Sequence, residues 1–275
     1  MKPRIALPLV LLSTLFSTPA LADDYKEKDR FYNQFGAYLI GNTNTLMAAE
    51  YKGVGAIIDT GELLDMDTQL NVGRISGYWR FHRHHRLDYA FYNIKREGAK
   101  TIQEDLEWNG ETFVAGTNVN SLLETQTAKI NYSWSFYRNE KVELGIGGGL
   151  HITQIKAALD GTIYSGDPAS PVVQAGREEI DVTAPLPVAG LRASYAVNSK
   201  IRMRLAADVF ALRVADIEGN LRDTRLGVDW RFSKHVGLGG SLISTDLYVE
   251  AKDGDEKLKL SNQVNGAELF VSLYF

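Results

Sequence analysis

Long runs of strict alternation constrain this chain more than any other feature. Ala128, Ile130, Tyr132, Trp134 and Phe136 are apolar, and Lys129, Asn131, Ser133 and Ser135 stand between them. Val142–Ile152, Ile201–Ala211, Leu226–Phe232 and Ala267–Phe275 repeat the pattern. Successive strand side chains point to opposite faces, so this period predicts long strands with one apolar and one polar face. No segment shows a comparable helical period, so the chain is predicted to be all-β.

A soluble sandwich also alternates, but its strands usually run about 5–6 residues. Several of these runs reach the roughly 9–11 residues that cross a bilayer at a tilt. Trp-x-Phe occurs three times, as Trp79-Arg-Phe81, Trp134-Ser-Phe136 and Trp230-Arg-Phe232, and each copy precedes a short polar break. Leu273-Tyr-Phe275 ends the chain in a similar shape. Aromatics gathered at one strand end before tight turns describe the interfacial girdle of a membrane barrel. Short breaks fall near residues 83, 139, 198 and 234, and longer polar stretches near 98–124, 158–178, 215–220 and 251–263. The short-turn end is therefore assigned to the periplasm and the acid-rich stretches to the outside. Pro168, Pro171, Pro185 and Pro187 suit loop or strand-edge backbone. A free sheet edge in lipid would leave amides unpaired, so the sheet must close, with the last strand pairing near residues 31–39.

Residues 1–22 have a basic start, an apolar stretch from Ile5 to Phe16 and a small-x-small ending at Ala20-Leu-Ala22. That layout predicts a cleaved signal peptide, with residues 23–275 as one barrel domain exported to the bacterial outer membrane. Without Lys2 and Arg4, 28 basic residues stand against 34 acidic ones, a net charge of −6. A mildly acidic chain is a poor nucleic-acid binder. There are no cysteines, so stability must come from backbone pairing and packing.

Two strand counts fit. Residues 31–67 could hold one strand and a long loop, giving ten strands. They could instead hold three, Phe31–Gly41, Thr45–Lys52 and Ala56–Leu63, with "NTN" and "KGVG" as turns, giving twelve. Twelve is favoured, because a long first loop rich in Ile, Leu and Met is odd in open water.

Alternating strands, the leader and a terminal aromatic together resemble the bacterial outer-membrane β-barrel class. The last segment, "NGAELFVSLYF", has Gly266, Leu269, Val271 and Phe275 in about the places that class uses, although Val264 departs from its usual polar residue. The resemblance implies recognition of this strand by the barrel-assembly machinery. It names no subfamily.

The inferred inward face is charged. Arg74, Arg80, Lys129, Arg192, Arg202, Arg204, Arg225 and Arg231 oppose Asp88, Glu143, Asp208, Asp229 and Glu268, eight basic against five acidic, about +3. Such a lumen either filters small polar or anionic solutes or is plugged by Arg–carboxylate pairs. The outward set is Trp79, Phe81, Trp134, Phe136, Trp230, Phe232 and Phe275.

"YWRFHRHHRLDY", residues 78–89, brings His82, His84 and His85 together. Metal ligands converge from separate elements, whereas this run lies on one turn among arginines that repel a cation. It reads as a head-group collar, and no metal or cofactor is expected. Outer-membrane phospholipases and lipid A deacylases pair His with Ser on the outer wall, but His151-Ile-Thr153 departs from their His-x-Ser-Asn and sits on the inward face. Omptin-like proteases use rim acids and histidines, while the long loops here lack histidine. "GIGGG" at 145–149 lies inside a strand and is not a phosphate loop. The leading reading is a pore or transport barrel, monomeric, surrounded by outer-membrane lipid and lipopolysaccharide. The alternative is a closed structural or surface-interaction barrel, and a lipid-active enzyme is the remote one.

Overall fold

A computed structural model describes residues 29–51, 57–165, 172–214, 217–253 and 256–275. The expected signal segment, Pro168, Pro171 and the "KGVG" break lie outside the described residues. Thirteen strands are present: β1 (Phe31–Tyr51), β2 (Ile57–Asp59), β3 (Leu70–His82), β4 (His85–Thr101), β5 (Leu106–Trp108), β6 (Glu111–Phe113), β7 (Asn118–Arg138), β8 (Val142–Ser165), β9 (Val172–Ala196), β10 (Ile201–Val214), β11 (Ile217–Arg231), β12 (Val236–Asp253) and β13 (Glu256–Tyr274).

Ten of them form an antiparallel ring in the order β1-β3-β4-β7-β8-β9-β10-β11-β12-β13. The ring closes where β13 pairs with β1, from Tyr32 opposite Tyr274 to Tyr51 opposite Glu256. At its end Phe31 N donates to Phe275 O at 2.8 Å and Phe275 N to Phe31 O at 2.9 Å. The sheet therefore has no free edge at the join.

The barrel has ten strands, not twelve. "NTN" is no turn: Asn42–Asn44 lie within β1, where an irregularity between Ile40 and Asn42 shifts the register against β13 without reversing the chain. The segment expected as a third strand supplies only β2, which folds back on Leu46–Ala48. Its apolar residues do not need a wall position, because Ile58, Leu64 and Met66 bury inside the mouth.

Strands also run further than expected. Most of 158–178, 215–220 and 251–263, read as loops, is paired strand, and β8 and β9 reach 24 and 25 residues. Alternation continues there with charged outward residues, Arg177, Glu179 and Asp181 on β9, so the apolar pattern fades while backbone pairing continues. Short turns lie at 83–84, 139–141, 197–200 and 232–235, all at one end. Large apolar side chains cover the outside between the two ends, among them Phe35, Ile75, Phe91, Ile130, Leu191, Val209, Leu242 and Leu269.

Pro185 and Pro187 lie in β9, at a seam in the ring. β10 pairs with β11 along its whole length but with β9 only from Arg202–Ala196 to Val209–Ala189. Val197 N donates to Ile201 O toward β10, whereas Ala196 N donates to Lys141 O toward β8. Donors of odd-numbered β9 residues thus face β10. Continuing the register would set Pro187 opposite Ala211 and Pro185 opposite Arg213, and proline has no N–H to give. Two missing donors end the ladder where it stops. Replacing both prolines with valine should extend it, adding about 1–3 kcal/mol for two net hydrogen bonds. Hydrogen exchange at residues 185 and 187 checks this: slow exchange is expected, and amides as fast as in an open loop would overturn it.

Candidate functional site

The barrel interior is the candidate site, because strand alternation forces every second side chain into it. Arg74, Arg80, Asp88, Lys129, Glu143, Arg192, Arg202, Arg204, Asp208, Arg225, Asp229, Arg231 and Glu268 all lie at inward positions, buried or half-buried. Gly147 and Gly149 make room among them. A Cβ on Gly147 would collide with the Tyr132 carbonyl oxygen, and one on Gly149 with the Ile130 carbonyl and the Asn131 side chain. "GIGGG" thus lets β8 approach β7 closely.

At the short-turn end the lumen is floored by polar and aromatic groups. Tyr32 packs on Tyr78 and Tyr274, ring centroids 5.3 and 5.1 Å apart. Asp229 accepts from Tyr32 Oη at 2.6 Å, Tyr274 Oη at 2.5 Å and Ser272 Oγ at 2.9 Å. From the opposite wall the Arg204 guanidinium lies 4.3 Å above the Tyr32 ring. Arg80 Nη2 donates to both Glu143 oxygens, at 2.9 and 3.0 Å, and Arg231 holds Asp29 at 2.6 Å.

Above this floor runs a belt of ion pairs, several of which span the lumen. Lys129 on β7 meets Asp223 on β11 at 2.7 Å, four strands around the ring. Arg192 meets Asp208 at 2.7 Å, and Asp208 also takes His151 Nε2 at 3.5 Å. Arg225 joins Glu268 at 2.7 Å and donates across the lumen to Gln34 Oε1 at 2.6 Å. Between floor and belt remains a cavity of about 120 Å³. It has room for several waters or one small polar molecule.

The far end is apolar and packed. Trp108 and Phe113, carried by the β5–β6 hairpin, and Ile58, Leu64 and Met66 of the first loop meet Leu123, Ile155, Leu186, Phe210, Leu221 and Leu247 of the wall. Arg96, fully buried, ties the first loop down. It donates to Asp67 O at 2.6 Å, Thr45 Oγ1 at 2.9 Å and Thr60 Oγ1 at 3.0 Å. The lumen is a polar chamber under a loop-borne apolar plug.

Asp223, Arg86 and Arg96 belong to this interior and were not expected there. The signal was present: Asp223 shares the parity of Arg225 and Asp229, and Arg86 and Arg96 share that of Asp88. The break expected at His82–His85 hid Arg86, and the strand read from Arg225 onward left out Asp223. Trp79, Phe81, Trp134, Phe136, Trp230, Phe232 and Phe275 all face outward near the short-turn end, each between 43% and 58% exposed. His84 Nδ1 contacts Ser135 O at 2.9 Å and His85 Nδ1 contacts Tyr132 Oη at 2.6 Å, so these rings bridge β4 to β7. Among the described residues no group of three His, Cys, Asp or Glu side chains could hold a metal ion.

No protein-family model matches the chain, and no curated protein matches it. Solved structures align with it. The outer-membrane protease OmpT of Escherichia coli aligns at 9% identity and a TM-score of 0.51, covering 88% of this chain and 97% of that one. The toluene transporter TodX of Pseudomonas putida aligns at 9% identity over 91% of each chain, TM-score 0.34. The outer membrane protein OprG of Pseudomonas aeruginosa aligns at 11% identity over 92% of this chain and 99% of that one, TM-score 0.34. A shared fold selects no activity. The chain is a closed ten-stranded antiparallel β-barrel, a fold it shares with that outer-membrane protease.

Proposed function

We propose that the protein is an outer-membrane barrel, exported through its leader, that passes small polar and preferably anionic solutes through a lumen plugged at rest. The observation that carries this is the contrast along the axis: a cation-rich polar chamber closed by an apolar plug that segments outside the ten-stranded ring supply. Such segments can leave a barrel without breaking the ring's own ladder; wall strands cannot. The outward apolar surface and the aromatic end fit a lipid environment, where the inward charges would cost about 2–4 kcal/mol each near the midplane if they faced out. The barrel is read as a monomer in contact with membrane lipid and lipopolysaccharide, assembled through its last strand ending at Phe275. Its chemistry is binding and passage rather than catalysis, and nucleic acid has no place in it.

The cross-lumen pairs favour a second reading, a permanently closed structural barrel. Conductance separates the two. In planar bilayers the intact protein should give no steady current. A variant with residues 103–116 replaced by a two-residue turn, and with Tyr78→Ala to thin the floor, should conduct with anions preferred over cations. A folded variant that stays silent would leave the closed reading.

Arg96→Met tests the strap separately. It removes a charged donor from three buried acceptors, each such hydrogen bond contributing about 1.5–3 kcal/mol. Proteolysis within residues 60–69 should become rapid while the barrel core stays resistant. A first loop still protected from protease would show that the strap is not what holds it.

A further inference from the structure

Six cations and four carboxylates border the 120 Å³ chamber. Five of the cations have a carboxylate of their own. Arg86 lies 3.1 Å from Asp88, Lys129 2.7 Å from Asp223, Arg192 2.7 Å from Asp208, Arg204 3.9 Å from Asp229, and Arg225 2.7 Å from Glu268 just beyond the lining. Arg74 is the sixth. It is 5% exposed, and its Nε and Nη1 are buried without a hydrogen-bond partner. Its guanidinium packs on the face of Tyr92, 5.1 Å from the ring centroid, and its charge reaches Asp223, which Lys129 already holds at 2.7 Å.

A buried guanidinium with no carboxylate of its own is expensive, and a ring face and a carboxylate already held by Lys129 return only part of the lost hydration. Alternation did not force this cost, since inward positions elsewhere on the same wall hold Val72, Ser76 and Ala90. The chamber into which Arg74 opens carries one unmatched positive charge.

We propose that this chamber is a binding site for a small carboxylate monoanion, with Arg74 as its principal ligand. The proposal deepens the reading of a solute-passing barrel and rests on it. One negative charge completes the one-to-one pairing, and a planar carboxylate suits a guanidinium. A phosphate dianion would overshoot neutrality by one charge and press on Asp223 and Asp229, which already hold their own donors. The bordering Phe270 and Tyr89 leave space for a short organic tail rather than a second charge.

Equilibrium dialysis with radiolabelled acetate tests this on the full mature chain, refolded in detergent with the label present so that the plug does not limit access. The intact protein should retain about one acetate per barrel, displaced by propionate and not by phosphate at equal concentration. Arg74→Met should weaken retention at least tenfold. Arg74→Lys, which keeps the charge without the planar fork, should bind with intermediate strength and covers the case where the methionine variant does not fold. Arg177→Met, on the outward face of β9 and away from the lumen, should bind as the parent does. Retention unchanged by Arg74→Met or Arg74→Lys would mean an adventitious ion only, and would overturn the proposal. Absence of saturable retention, or preferential phosphate binding, would also overturn it. Failure of the site is distinguishable from failure of the transport reading. Acetate held by Arg74 in a barrel whose unplugged variant never conducts removes passage and leaves the site. A conducting barrel without acetate retention removes the site and leaves passage.

Discussion

Everything in this molecule depends on the closing of one sheet on itself. In lipid an unpaired amide or carbonyl costs several kcal/mol, so a ten-stranded sheet is tolerable there only without edges. The join of β1 to β13 supplies that condition, from Tyr32–Tyr274 upward with the Phe275 backbone sealing the end. Once the ring is closed, side-chain parity has two destinations. Outward positions take Phe35, Leu191 and Leu269; inward positions take the charged groups toward the short-turn end and apolar ones such as Leu123 and Phe210 toward the other. The seam at Pro185 and Pro187 shows the same bookkeeping in reverse: where donors are missing, the ladder stops.

A ten-stranded ring is narrow, and the interior residues reach across it. Arg204 lies over Tyr32 from the opposite wall, and Lys129 meets Asp223 four strands away. These contacts brace the barrel against flattening as well as filling it. Gly147 and Gly149 meet a different need: a Cβ at either position would strike the backbone of β7.

Parity was legible in the sequence, and with it the all-β class and the side of the wall on which Arg74, Lys129 or Asp229 sits. What could not be read was where parity stops mattering. Asn42–Asn44 look like a turn, yet β1 carries them through a bulge, because pairing with β13 continues on the other side. Hydropathy marks the apolar belt, whereas the backbone ladder extends past it, so the β8–β9 hairpin was underestimated. The plug was hidden for a related reason. Ile58, Leu64, Met66 and Trp108 lack period two, since they fill a mouth instead of lining a wall. Cross-lumen partners such as Asp223 with Lys129 were invisible because partner choice depends on ring size and shear, and neither is written locally.

The two halves of the lumen make an internal comparison. The upper half is filled by Leu123, Ile155, Phe210, Leu221 and their neighbours, with Trp108 and Phe113 above them. The lower half is filled by ion pairs on the same strands. Buried pairs roughly break even with, or lose to, apolar residues of equal volume, because desolvation consumes most of the Coulomb attraction. The upper half shows that this wall accommodates the apolar solution. Stability therefore does not account for the charged half, and still less for Arg74, whose nearest carboxylate, Asp223, is already held by Lys129. A set of charges held at that cost around an open chamber is better accounted for by what it can bind than by what it holds together.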